Sequence, residues 1–171
     1  MKLARWILLG LLAATVQAGF VPCFEIAGAI PDLALLATIF AALFAPASHV
    51  LPLAWYMGTL EDLLSSGRFG VHGAAFLAVA FLVLDSRKNL FVEHSATHLL
   101  VTGLHALALY MVLGAASAAR HDNLALLQAL GCGFGAALYT TALTFPVFAL
   151  ARRITGTKTK PKEKTPLPAQ F

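Results

Sequence analysis

This chain of 171 residues is 59% hydrophobic and only 12% charged, with mean hydropathy +0.80 and formal net charge +4. A water-soluble domain carries about 25% charged residues, so the composition points to an integral membrane protein with long apolar runs and short polar breaks. The positive balance is weak evidence for nucleic-acid binding, because the basic residues lie beside apolar segments and in the C-terminal tail, and no nucleic-acid partner is expected. Cys23 and Cys132 lie far apart in sequence and have no metal-ligand spacing.

In chain order, six membrane segments are expected, at about 3–20, 31–45, 49–64, 71–84, 95–119 and 124–151. The first begins with Lys2 and Arg5 and ends at V-Q-A before Gly19, a pattern that a signal peptide shares. The apolar segments that follow make an uncleaved first helix the simpler reading. The second and third are short: about 15 residues at a 1.5 Å rise reach about 23 Å, against a hydrocarbon core of about 30 Å. Pro46 and Pro52 mark the break between them. They form either two thin-spanning helices or one re-entrant hairpin, and the chain returns to the side it left in both cases. Residues 154–171 form a Lys-, Pro- and Thr-rich tail, expected to be disordered in the cytoplasm beside the transmembrane domain 1–153.

Charge asymmetry orients these segments. With a cytoplasmic N-terminus, Lys2, Arg5, Arg87, Lys88, Arg152, Arg153 and the tail lysines 158, 160, 162 and 164 fall on the inner face. Only Arg68 and Arg120 fall on the outer one. This bias demands an even number of crossings, with both termini cytoplasmic. No outer loop is long enough to fold by itself, so function resides in the bundle or on its lipid-facing flanks.

Three features carry candidate chemistry. In the fifth segment, His94, His98 and His105 share one helical stripe, with His98 about 40° and His105 about 20° from His94. Such a stripe suits a metal pair or proton relay, or neutral imidazoles hydrogen-bonded between helices, and packing is the favoured reading. Glu93 precedes His94, an order unlike the H-E-x-x-H of zinc proteases. In the sixth segment, Gly131 and Gly135 form a small-xxx-small pair that permits close helix approach, a spacing that Gly10, Ala14 and Ala18 repeat in the first. The third feature is G-T-L-E-D-L-L-S-S-G-R-F-G-V-H-G, residues 58–73. Gly67 is suited to a left-handed helix cap, and Arg68-Phe69-Gly70 to reversing the chain. Glu61 and Asp62 fall in the last turn of the third helix, where the dipole disfavours acids, so Arg68, Arg120 or interfacial water is expected to compensate them. Adjacent helical residues point about 100° apart, so this pair cannot converge as a catalytic dyad.

The same stretch resembles the signature of the bacterial rod-shape-determining MreD family: a glycine and an aspartate before Leu-Leu-Ser, a glycine-containing turn, then G-x-H. Pro31-Asp32-Leu33 resembles the family's P-D-L. The resemblance extends from about residue 3 to residue 153. It implies a non-enzymatic scaffold of the cell-elongation complex in the bacterial inner membrane, with no cofactor. It also implies association with the bitopic protein MreC and, through it, with actin-like MreB, the glycan polymerase RodA and a penicillin-binding transpeptidase. The implied fold is similar to the six-helix substrate-binding subunits of energy-coupling-factor vitamin transporters. Carried over by position, the family residues are Pro31, Asp32, Gly58, Asp62, Gly67, Gly70 and His72, with architectural roles. The turn Ala45–Ser48 departs from the family in lacking a basic residue, and Glu61, the histidine stripe and the basic tail are further departures.

A vitamin-sized binding or transport subunit is the alternative reading, with His98 and His105 lining its pocket. An intramembrane metal or proton-relay enzyme using Glu93 and the three histidines ranks below both.

Overall fold

The computed structural model describes residues 3–19, 21–26, 28–64, 69–90, 94–118 and 123–157. Among them are seven α-helices: α1 (Leu3–Gly19), α2 (Leu33–Phe44), α3 (Ala47–Leu64), α4 (Val71–Ser86), α5 (Ser95–Ala118), α6 (Asn123–Ala142) and α7 (Thr144–Thr155). No strand occurs among the described residues, and a single antiparallel bridge joins Ile26 and Ala29 in the loop after α1. Gly67, Arg68, Glu93, Arg120 and the tail lysines lie outside the described residues, so the cap and counter-charges expected of them have no structural description.

Helix α2 is the axis of the bundle. Every residue from Ala34 to Leu43 is buried, as expected of a helix that is apolar all round. It packs against α1, α3, α4, α5 and α7. Phe40 sits at its centre, 5.6 Å from the Trp6 ring of α1 and 5.2 Å from Phe148 of α7. At 12 residues α2 is about 18 Å long. It stops at Ala45, whose extended backbone (φ −76°, ψ 158°) satisfies the restriction that Pro46 places on the residue before it.

The sequence expectation about the prolines needs correction. Pro46 alone lies in the break between α2 and α3; Pro52 is inside α3. It costs the hydrogen bond that its missing N–H would give to the Ser48 carbonyl, and both residues are exposed. The sixth segment is likewise two helices rather than one, with α6 and α7 meeting at 51° around Leu143. Pro146 explains the bend. It cannot donate to the carbonyl of Ala142, and its ring crowds that carbonyl.

Small residues set the helix spacing, but not the pair expected in α6. Gly131 has open space around it, and Gly135 faces the loop through Ala29. Gly133 instead lies against the backbone of Tyr110, and Gly114 of α5 lies against Ala129 of α6. These two close approaches join α5 to α6. In α1, Gly10 receives the Tyr56 and Met57 side chains of α3 and Ala14 is buried, whereas Ala18 is exposed.

Hydrogen bonds sort the charged side chains to opposite ends. Arg5 of α1 donates to the Thr155 carbonyl of α7 at 3.4 Å. Arg87, just past α4, donates from Nη1 to the carbonyls of Ala42 and Ala45, at 3.2 and 2.8 Å. The Arg152 guanidinium lies 5.1 Å from the centre of the Phe44 ring. These contacts gather the N-terminus of α1 and the C-termini of α2, α4 and α7 into one basic end. The basic residue missing from the Ala45–Ser48 turn is thus supplied by Arg87, some forty positions later in the chain. Asp32 and Asp62 anchor the other end.

Candidate functional site

At the acidic end, the first carboxylate caps its own helix. Asp32 has extended backbone (φ −109°, ψ 99°), and its Oδ1 accepts the Leu35 amide at 2.7 Å, satisfying a donor that α2 leaves open. Asp32 is 5% exposed, so its remaining oxygen requires a partner. Tyr110 of α5 provides it, donating its hydroxyl to Oδ2 at 2.9 Å. The Asp32 amide donates to Thr140 Oγ1 of α6 at 3.0 Å. The flanking residues of the P-D-L triplet are held by Gln17 of α1, which accepts the Leu33 amide and donates to the Pro31 carbonyl, at 2.8 and 3.1 Å. Three residues therefore tie α2 to α1, α5 and α6 at one level of the bundle.

The second carboxylate caps a helix that is not its own. Gly70 stands at the N-cap of α4 with φ +94°, a left-handed conformation that suits glycine, and offers no capping side chain. Asp62, in the last turn of α3, fills that role. It accepts the amides of Gly70 at 2.9 Å, His72 at 3.0 Å and Gly73 at 3.0 Å. His72 Nδ1 lies 3.0 Å from Asp62 Oδ1, so the tautomer with its proton on Nδ1 donates to the carboxylate. Asp62 is 5% exposed. A carboxylate that the C-terminus of α3 disfavours is thereby held by the N-terminus of α4, where a negative charge is stabilised by the dipole and by open amides.

Gly58 makes this joint possible. A Cβ there would lie 2.6 Å from the Gly73 Cα and 2.6 Å from the His72 carbonyl oxygen. The first turn of α4 therefore rests directly on the backbone of α3, one turn before Asp62. A Cβ on Gly73 would meet the Trp55 ring at 3.3 Å and Asp62 Oδ2 at 3.5 Å. Glu61 does not share the joint: it is half-buried, and its Oε2 has no hydrogen-bond partner.

The histidines of α5 follow three separate courses. His94 is exposed at the helix start. His98 is buried, with its ring 5.6 Å from Phe44 and 5.4 Å from Phe148. His105 donates from Nδ1 to the Val101 carbonyl of its own helix at 2.8 Å. Among the described residues, no group of three His, Cys, Asp or Glu is placed to hold a metal ion. The described residues thus assemble helix joints, in which the hydroxyls of Tyr110 and Thr140 serve as hydrogen-bond partners of Asp32.

Sequence reasoning did not single out Gln17, Gly73, Thr140, Tyr110 or Arg87 as parts of these joints. Gln17 and Tyr110 stand out in retrospect as hydrogen-bonding groups inside apolar helices, while Gly73 completes the G-V-H-G quoted from the sequence. The partners themselves follow only from how the helices cross.

A family model described as rod shape-determining protein MreD matches residues 1–154. No curated protein and no solved structure matches the chain.

Proposed function

Since the chain belongs to the MreD family of rod shape-determining proteins, we propose that it is a multi-pass scaffold of the bacterial cytoplasmic membrane that supports lateral wall synthesis by binding MreC. The family acts in rod shape determination and is membrane-associated; it is not a known enzyme family. The match across residues 1–154 carries the reading. MreC in turn links the chain to MreB, RodA and the penicillin-binding transpeptidase.

Within this reading the bundle crosses the membrane six times, with α6 and α7 as one bent crossing and the 12-residue α2 as the shortest. Helix α5 is long and apolar enough to span alone, over Ser95–Ala115, and α6 with α7 passes the same test as a pair. The outward side chains Leu100, Leu104, Val112, Leu127, Phe134 and Leu138 are all exposed, as lipid-facing residues are. Separation of Arg5, Arg87 and Arg152 from Asp32 and Asp62 supports a cytoplasmic basic end and an outer acidic end. In this orientation Pro31, Asp32, Gly58, Asp62, Gly70 and His72 shape the outer corner at which helices α1 to α6 are tied.

Depletion of the protein in its host is expected to turn rods into rounded cells, and affinity purification to recover an MreC homologue. Normal rods, together with no MreC in the purified fraction, would refute the proposal.

A further inference from the structure

At the basic end, a groove of about 400 Å³ opens beside the α2–α3 turn, lined by Ala47, Phe81, Leu84, Asp85, Arg87 and Lys88. Positions 81, 84, 85 and 88 follow i, i+3, i+4 and i+7 spacing, so they share one stripe along α4 and the turn that continues it. The stripe changes character along its length. Phe81 is 60% exposed and Leu84 half-buried, whereas Asp85 and Lys88 are exposed and charged. Seven residues separate Phe81 from Lys88, about 10 Å along the axis at 1.5 Å per residue, comparable to the depth between acyl chains and headgroups. Arg87 is held at the rim by its bonds to the Ala42 and Ala45 carbonyls, which leaves a fixed cation beside the groove.

We propose that this groove holds one phospholipid with an ammonium-bearing headgroup. Its phosphate faces Lys88 and Arg87, its ammonium meets Asp85, and an acyl chain lies along Phe81 and Leu84. The sum of charge selects this chemistry. Two cations complement a phosphodiester, while the Asp85 carboxylate lining the same groove repels a purely anionic headgroup and attracts a cationic one. The inference rests on the orientation proposed above, which sets this end of α4 among headgroups.

The test uses the full chain, delipidated in detergent and titrated separately with dioleoyl phosphatidylethanolamine and dioleoyl phosphatidylglycerol under native mass spectrometry. The wild type is expected to retain one phosphatidylethanolamine in preference to phosphatidylglycerol. Lys88→Gln should weaken retention of both by about fivefold, the equivalent of about 1 kcal/mol for one lysine at a membrane surface, and Lys88→Arg should restore it. Asp85→Asn should abolish the preference without weakening phosphatidylglycerol. Equal retention of the two lipids by the wild type would overturn the proposal, as would retention indifferent to both substitutions. Displacement by free glycerophosphoethanolamine at equal concentration would assign the groove to a soluble headgroup and overturn it as well. So would a polypeptide cross-linked from position 81 with no lipid retained. MreC recovery is read separately, so loss of lipid selectivity with the partner still bound defeats only this inference.

Discussion

A single carboxylate shows how the side chains at the acidic end work. Asp62 replaces water for three amides of α4 and an imidazole, and each such bond to a charged group contributes about 1.5–3 kcal/mol. The bonds share one acceptor and one helix end, so they do not sum. Asp62→Ala is expected to lower unfolding free energy in detergent by about 3 kcal/mol, with loss of MreC recovery. Asp62→Asn keeps one acceptor oxygen and should fall between. Unchanged thermal unfolding and unchanged partner recovery in Asp62→Ala would contradict this account. Gly58→Ala tests the same joint from the backbone side. Its methyl would meet main-chain atoms that cannot rotate away, so a loss of about 1–3 kcal/mol is expected from overpacking. A melting curve that matches wild type would show that α4 can move off α3 without penalty. Gly58, Asp62 and His72, which meet in this joint, stood out in the sequence as parts of one motif. The recipient of the carboxylate did not, because only the crossing of α3 and α4 brings those amides to it.

Among the elements, the bent pair is the clearest departure from a reading by hydropathy. No charged residue interrupts the chain from Leu124 to Ala151, so residues 124–151 look like one segment, while the local effect of Pro146 on the Ala142 carbonyl breaks it. Pro146→Ala restores the missing donor. Spin labels at the exposed positions Leu138 and Leu150 should then report a longer separation as the 51° bend relaxes. An unchanged distance would mean that packing of Phe148 against Phe40 and Phe44, rather than the proline, sets the angle. The glycines of α6 carry a similar lesson. Spacing nominated Gly131 and Gly135, whereas the face turned toward α5 is that of Gly133, and rotation about a helix that is apolar on every side leaves little trace in composition.

For the whole molecule, the segregation of engaged arginines from engaged aspartates gives the bundle a polarity that the residue list already suggested through its basic flanks. Cys23 offers a direct check, since it is exposed in the loop after α1, at the acidic end. An impermeant maleimide should label it from outside intact spheroplasts; labelling only after lysis would reverse the orientation. That polarity also bears on how the chain is made. Helix α2 is short and enclosed, and its terminal carbonyls at Ala42 and Ala45 are served by Arg87. Between synthesis of α2 and emergence of α4, those carbonyls lack this donor and depend on whatever water reaches this end of the bundle. A nascent chain halted after Leu64 therefore carries a helix whose C-terminal end is unfinished. The second helix is therefore completed only by a residue translated more than forty positions after it, which makes its C-terminal end dependent on the fourth helix.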